Sequence, residues 1–373
     1  MITIKLRLTA LCLFLLTVFS PIGFGAGIAP DVTAKAAIVM EASTGKVLYE
    51  KNGEERHYPA STTKMMTLIL ALENGSMDDV VTVSDNAANT EGSSMDLAAG
   101  EQLKLWDLLY GIALASGNDA TVAVAEHLSG SVDNFARLMT QKAHAIGAVN
   151  TNFVNSSGLP DPNHYSTAHD LARIAAYGYK NPAFAEIVGC RHQTVSREGW
   201  TQELYNENKM LRNYQGGNGV KTGYTIAAGR CLVSGAKRGN VQLIAVVLNS
   251  PDMWEDSTAL LDFGFSQVQA FDVFHEGDVL KTVKVTHGKK DFINLVAGEN
   301  LSVPLFSPND RSRFQTVFEV PDTIQAPVTQ GQKVGIAKVL YQNKEVGRVN
   351  LVAAESIDQK SLRELLQEMR QKK

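Results

Sequence analysis

The stretch Tyr58-Pro-Ala-Ser61-Thr-Thr-Lys64-Met-Met-Thr-Leu-Ile-Leu-Ala-Leu72-Glu-Asn-Gly75 decides how the chain is read. From Lys64 to Leu72 it is almost wholly apolar, without the polar face of a surface helix, and Asn74-Gly75 supplies a stop. The pattern predicts a helix buried all round, with Ser61 at its start and Lys64 three residues on. That spacing puts the lysine amine beside the serine hydroxyl. A helix N-terminus adds unpaired N–H groups and a positive dipole end, which favour a developing oxyanion. A lysine partly buried there loses its proton easily enough to act as a base. On local grounds alone, Ser61 reads equally well as a helix N-cap.

Before this helix, Ala36–Met40 and Val47–Tyr49 read as strands joined by Ser43-Thr-Gly-Lys46, a hairpin. After it, Leu105, Leu108, Leu109 and Ile112 recur at helical spacing up to a break at Ser116-Gly117-Asn118. Helical periodicity resumes through Val122, Ala125 and Leu128, and again through Phe135, Leu138, Met139 and Ile146 to a stop at Gly147. Thr167 with Asp170 reads as a capping box opening one more helix. Strands follow at Val220–Thr225, Cys231–Gly235 and Leu243–Leu248, the last two joined by Lys237-Arg-Gly-Asn240. Strands, then helices, then strands predict an α+β domain over 26–268, an antiparallel sheet of about five strands beside a helical block. Short alternating strands without helical periodicity then predict a small all-β domain at 271–355, and 356–373 reads as an amphipathic helix.

The chain has 373 residues, 44% of them hydrophobic, and a net charge of −4, which suits a folded protein and argues against a dedicated nucleic-acid binder. Its first 25 residues read as a secretory signal peptide. Lys5 and Arg7 precede an apolar run from Leu8 to Phe19, too short for the ~20 residues of a membrane span, and Gly23–Gly27 is small-residue rich. The reading is therefore export, leaving Cys190 and Cys231 as the mature cysteines, for which free thiols are expected. Their spacing fits no zinc site, and His164 and His169, close to a capping box, read as surface or hydrogen-bonded residues, so neither metal nor cofactor is implied.

No G-x-S-x-G, GxGxxG or Walker A pattern occurs, which removes α/β-hydrolases, nicotinamide enzymes and P-loop ATPases. The S-x-x-K spacing occurs at Ser43/Lys46, Ser61/Lys64 and Ser234/Lys237, but the first falls in a turn and the third at a strand end. Ser116-Gly-Asn118 sits at a helix break, where a hydroxyl and an amide can be presented together. Lys221-Thr-Gly223 lies on a strand, the glycine allowing close backbone approach and the lysine supplying positive charge. Ser84-Asp-Asn86 is a competing S-D-N, read as a cap or turn.

Ser61-x-x-Lys64, Ser116-x-Asn118 and Lys221-Thr-Gly223, in that order, resemble the active-site set of penicillin-recognising serine enzymes. The flanks Phe153-Val-Asn-Ser-Ser-Gly-Leu159, His164-Tyr-Ser-Thr-Ala168 and Gly219-Val-Lys-Thr-Gly-Tyr-Thr225 look like the low-molecular-mass D-alanyl-D-alanine carboxypeptidases, over residues ~30–355. The resemblance implies a β-lactamase/transpeptidase-like domain and attack by Ser61 on the peptide bond between the terminal D-alanines of a peptidoglycan stem peptide. Lys64 is implied as base, Ser116 as proton relay and Asn118 as holder of the substrate amide or of Lys64. Lys221 and Thr222 are implied to bind the terminal carboxylate, and the backbone amides of Ser61 and Tyr224 to form the oxyanion hole against Gly223. β-Lactams would acylate the same serine.

One departure concerns the arginine that several relatives carry after the last core strand: here that region reads Asn249-Ser-Pro-Asp-Met-Trp-Glu-Asp256. A serine β-lactamase and a non-catalytic penicillin or peptidoglycan sensor are the competing readings; the former lacks an E-x-x-L-N segment here, and the latter has no use for both nucleophile and base. In the tail, Leu362, Leu365, Leu366 and Met369 form an apolar stripe flanked by Lys360, Arg363, Arg370, Lys372 and Lys373. Such a helix is expected to lie on an anionic bilayer, which the resemblance to the carboxypeptidases implies is the outer face of the cytoplasmic membrane; the alternative is that its stripe docks on the β domain or pairs with another chain.

Overall fold

The computed structural model describes residues 27–364 and Leu366; the leader at 1–25, and Leu365 and Met369 of the tail stripe, lie outside the described residues. The chain begins with strands β1 (Ala36–Glu41) and β2 (Val47–Lys51). Their turn is organised by the buried carboxylate of Glu41, which accepts hydrogen bonds from Thr44 N at 2.9 Å, Thr44 Oγ1 at 2.6 Å and Ser43 Oγ at 2.9 Å. The helical block follows, opening with α1 (Lys64–Asn74). Next come the short strands β3 (Val80–Thr82) and β4 (Gln102–Lys104) around α2 (Asp85–Ala88). Helices α3 (Leu105–Leu114), α4 (Asn118–Ser129), α5 (Val132–Ala145), α6 (Ala168–Gly178) and α7 (Pro182–Gly189) complete the block.

A hairpin of β5 (His192–Arg197) and β6 (Trp200–Tyr205) leads through α8 (Met210–Asn213) back to the main sheet. There β7 (Gly217–Thr225), β8 (Gly229–Arg238) and β9 (Val241–Leu248) pair antiparallel, and α9 (Met253–Gln267) closes the domain. The strand order is β2-β1-β9-β8-β7, so the first strand inserts beside the last and β7 forms an edge. The helical block packs on one face of this sheet and α9 on the other, which is why β1 is buried along its whole length.

The C-terminal region is built from β10 (Gln269–Phe274), β11 (Val279–Thr286), β12 (Phe292–Ala297), β13 (Leu301–Leu305), β14 (Phe314–Glu319), β15 (Thr323–Gln325), β16 (Lys333–Tyr341) and β17 (Lys344–Ala353). Six of these form a sheet in the order β14-β16-β17-β12-β11-β15, while β10 pairs with β13. The region has its own core around Val283, Ile293, Leu295, Val339 and Leu351. Phe306 and Tyr341 instead pack into the cluster that also holds Val39 and Leu243, and the Lys46 ammonium lies 4.1 Å from the Phe306 ring.

The five-stranded antiparallel sheet, the helical block and the C-terminal β region agree with the sequence reading. Two details differ. The capping box at α6 is half formed: Thr167 Oγ1 accepts from Asp170 N at 3.0 Å, but the Asp170 carboxylate turns away to Asn150 N and Thr151 Oγ1. Helix α9 was not foreseen, because its buried positions Ser257, Leu260, Leu261 and Gly264 mix with polar and aromatic residues and blur the apolar stripe. The carboxylate of Asp256 on this helix accepts from Thr33 N, Ala34 N and Ser250 Oγ, tying the start of the described chain to the sheet.

Gly158 shows how tightly the loop before α6 is pressed against α1. Its φ is +92°, and a Cβ there would lie 1.8 Å from the Ala60 carbonyl oxygen. Gly100 has a similar φ of +82° but open space around it. Gly158→Ala is therefore expected to cost about 2–4 kcal/mol, from backbone strain plus overpacking, and Gly100→Ala about 1–2 kcal/mol from strain alone. Thermal unfolding of the two variants checks this; equal losses would show that the Ala60 contact yields without resistance.

Candidate active site

Lys64, the first residue of α1, is fully buried, and its Nζ sits among three oxygens: Ser61 Oγ at 2.8 Å, Asn118 Oδ1 at 2.7 Å and the Ser157 carbonyl at 2.9 Å. Burial, and after it the nearby Lys221 ammonium, push its pKa well below the usual lysine value. A neutral amine has two N–H donors and one lone pair. The Asn118 and Ser157 oxygens are obligate acceptors, so they take the two N–H groups. The lone pair then faces the Ser61 hydroxyl, which can donate to it.

Ser61 occupies a 3-10 turn, Ala60–Thr63, immediately before α1 and makes no capping bond, which separates it from the N-cap alternative. The turn is braced by Thr62 Oγ1, which donates to the Pro59 carbonyl at 2.6 Å. His164 braces it from behind. Val154 N donates to its Nδ1 at 3.2 Å, so Nε2 carries the hydrogen and donates to Thr63 Oγ1 at 2.8 Å. Burial holds the imidazole pKa down at about 4, consistent with this neutral form.

Asn118 opens α4 and is pinned on every side. Its Nδ2 donates to the Glu91 carbonyl at 2.6 Å and its backbone N–H to Ser93 O at 2.7 Å. The next residue, Asp119, collects the N–H groups of Met95 and Leu97 and the hydroxyl of Ser94. Buried Arg197, from the β5–β6 hairpin, grips the same loop through Met95 O, Asp96 O and Glu101. Ser116, at the α3–α4 junction, is buried with a positive φ of 58°, a strained setting for a serine. It stands two residues from Asn118 but takes no part in the hydrogen bonds of the Ser61–Lys64–Asn118 cluster.

Strand β7 supplies the other wall. A Cβ on Gly223 would lie 2.9 Å from Ser61 N and 3.1 Å from Thr62 N, so the strand runs directly against the backbone of the Ser61 turn. The side chain of Lys221 is buried and donates to the Thr222 carbonyl at 3.1 Å, and burial pushes its pKa down to about 8. Tyr224 follows on the strand with its side chain exposed.

The alternative motifs fall elsewhere. Ser43 is bound to Glu41 in the first hairpin, and Ser84 caps α2, accepting from Ala87 N at 3.0 Å. Ser234 and Lys237 lie three apart on β8, on opposite faces, with the serine buried and the lysine exposed. Cys190 and Cys231 are free thiols. Sequence reasoning missed Arg197 and Arg230. The β7–β8 register pairs Arg230 with Tyr224, and its guanidinium donates to the Pro251 carbonyl at 2.9 Å, in the segment 249–256 that itself carries no arginine. Only the strand register could have revealed that.

The fold and this cluster define a penicillin-recognising serine enzyme with a β-lactamase/transpeptidase-like domain and an appended C-terminal β domain. A family model described as D-alanyl-D-alanine carboxypeptidase matches residues 25–252, and one described as the C-terminal domain of penicillin-binding protein 5 matches 269–359. The chain belongs to the D-alanyl-D-alanine carboxypeptidase family, a family of serine peptidases. It is 40% identical over 331 residues to a Bacillus subtilis D-alanyl-D-alanine carboxypeptidase, DacF, covering 86% of this chain and 85% of that protein. Penicillin-binding protein 5 from Haemophilus influenzae superposes with a TM-score of 0.63 at 31% identity, covering 89% of this chain and all of that one. A Streptococcus pneumoniae peptidoglycan synthesis regulatory factor does so with a TM-score of 0.67 at 27% identity, over 88% of this chain.

The two lysines give opposite pH dependences. In the reaction proposed below, Lys64 must lose its proton to accept one from Ser61, whereas Lys221 must keep its charge to attract an anion. The expected kcat/KM rises as Lys64 deprotonates and falls as pH passes through about 8 and Lys221 is neutralised. Lys221→Arg keeps its charge at all accessible pH values, so its activity maximum should be lower but the alkaline limb should vanish. An unchanged alkaline limb in the arginine variant would assign that limb to another group.

Proposed function

We propose that the chain carries out its family's reaction, removal of the terminal D-alanine from peptidoglycan stem peptides, through an acyl-enzyme on Ser61. The observation that carries this is the buried Lys64 amine, 2.8 Å from Ser61 Oγ and held on its other side by two oxygens that can only accept, Asn118 Oδ1 and the Ser157 carbonyl. In the first step Ser61 Oγ attacks the carbonyl between the two D-alanines while its proton passes to Lys64. Backbone N–H groups of Ser61 and Tyr224, kept close by Gly223, receive the oxyanion. Lys221 and Thr222 hold the terminal carboxylate, Asn118 keeps Lys64 aligned, and Ser116 passes a proton to the departing D-alanine amine. Water then cleaves the ester and regenerates Ser61. A β-lactam, whose ring amide mimics the scissile bond and whose carboxylate mimics the terminus, acylates the same oxygen.

The same reading places the enzyme outside the cytoplasmic membrane, with residues 1–25 as a removable leader, 26–268 as the peptidase domain, 271–355 as the β domain and 356–373 as a peripheral membrane contact. It is supported by the basic-then-apolar leader and by Leu362 and Leu366, both exposed at the start of the tail. No helix among the described residues is long and apolar enough to cross a membrane.

Ser61→Ala is expected to abolish both D-alanine release from a D-Ala-D-Ala peptide and covalent labelling by a fluorescent penicillin. Ser116→Ala should slow turnover roughly 10²–10⁴-fold, the usual loss for a proton-transfer group. Ser84→Ala, which removes a cap and a hydrogen bond to Glu126 away from the site, should leave turnover within a few fold. Activity retained in Ser61→Ala overturns the assignment, and equal rates in the two other variants remove Ser116 from it. For the tail, truncation after Lys360, which spares the buried Ile357 and its pairing with Val328, should reduce salt-sensitive sedimentation with anionic vesicles while D-alanine release from a soluble peptide is unchanged. Equal sedimentation of both forms would dismiss the membrane contact.

A further inference from the structure

Glu207 stands beside the carboxylate-binding pair with the wrong charge for that task. The segment that carries it is stapled at both neighbours. Asn206 N donates to Arg191 O at 3.0 Å and Asn206 Nδ2 to Cys190 O at 2.9 Å. Asn208 N donates to Asn206 Oδ1 at 2.9 Å, and Asn208 Oδ1 in turn accepts from Met210 N at 3.0 Å. Both asparagines are buried, and Glu207 between them is exposed. Its placement is thus set by the fold rather than by a wandering loop. From there its Oε2 accepts a long hydrogen bond from Thr222 Oγ1 at 3.4 Å. In this state a carboxylate of the protein occupies a donor that the reaction needs for a carboxylate of the substrate.

We infer that Glu207 is a specificity-determining residue: its carboxylate competes with the substrate's terminal carboxylate for Thr222 and Lys221, setting a weak affinity for anionic chain ends. The inference rests on the carboxylate-binding role given to those two residues above. A like charge next to the incoming anion opposes binding, and Glu207 must also release Thr222 before the substrate can use it. Because Glu207 is exposed, added salt screens its repulsion.

A second consequence has the opposite sign. The charged groups that face the Lys221 ammonium are Glu207, from the turn before α8, and Lys64, from α1, while Asp119 acts on Lys64. Glu207 favours the protonated Lys221 against the burial that lowers its pKa. Its removal should therefore help anion binding at neutral pH and hasten the loss of that binding as pH rises. A residue that merely supported the loop would not produce these two opposed effects.

The test compares full-length wild type, Glu207→Gln and Glu198→Gln, the last removing an exposed carboxylate at the β5–β6 turn. Two quantities are measured at low and high salt between pH 6 and 10. One is kcat and KM for D-alanine release from a D-Ala-D-Ala peptide; the other is the second-order rate of acylation by benzylpenicillin, which carries a carboxylate. At pH 6.5 and low salt, Glu207→Gln should lower KM roughly three- to tenfold with kcat within twofold, the size expected of one screened like-charge contact. Penicillin acylation should accelerate by a similar factor, high salt should shrink both effects, and the alkaline limb should move to lower pH. Glu198→Gln should resemble wild type. An unchanged or raised KM in Glu207→Gln, or an equal change in Glu198→Gln, overturns the inference. Failure of all three proteins to release D-alanine would instead overturn the proposed reaction, and the penicillin rates would still report whether Glu207 opposes an anion.

Discussion

The organising constraint in this molecule is one buried amine. A charged lysine without solvent is expensive to hold, by several kcal/mol even after relaxation, and no carboxylate pairs directly with Lys64 in its hydrogen-bond set. The protein meets this by surrounding the amine with three fixed oxygens and by a burial that pushes its pKa well below the usual lysine value. Everything around it serves that arrangement. Asn118 is locked by two further backbone contacts, Asp119 gathers the 93–97 loop, and Arg197 clamps the loop from the far side. The Ser157 carbonyl is delivered by a loop whose Gly158 lies against Ala60. Of its three contacts, only the one with the Ser61 hydroxyl can reverse direction when the amine gives up a proton.

The second lysine shows how similar burial can serve a different end. Lys221 is buried too, and burial lowers its pKa while Glu207 favours its charged form. The Lys221 ammonium adds to burial in lowering the proton affinity of Lys64.

The fold and most of the site were legible in the sequence. Hydrophobic periodicity gave the helical block and the strands, since buried faces repeat at 3.6 and 2 residues whatever the fold. The helix carrying Lys64 and the glycine of the Lys221–Gly223 strand could be placed from local rules. Illegible were features set by contacts far apart in sequence. Helix α9 carries a mixed pattern because Gly264 and Ser257 pack closely on the sheet, where small residues replace the expected aliphatic stripe. Arg197 looks like any surface arginine until the hairpin folds it against Glu101.

Sequence by itself determined that the chain is α+β and which serine is paired with a lysine, because those follow from residue type, spacing and order. Tertiary structure alone decided that Asn118 faces Lys64, that Ser157 contributes its carbonyl, that Gly223 meets the backbone of Ser61 and that Glu207 reaches Thr222. These are pairings across many tens of residues, or between a strand edge and a turn. Their geometry comes from how the helical block, sheet and hairpin pack, and no local propensity encodes that.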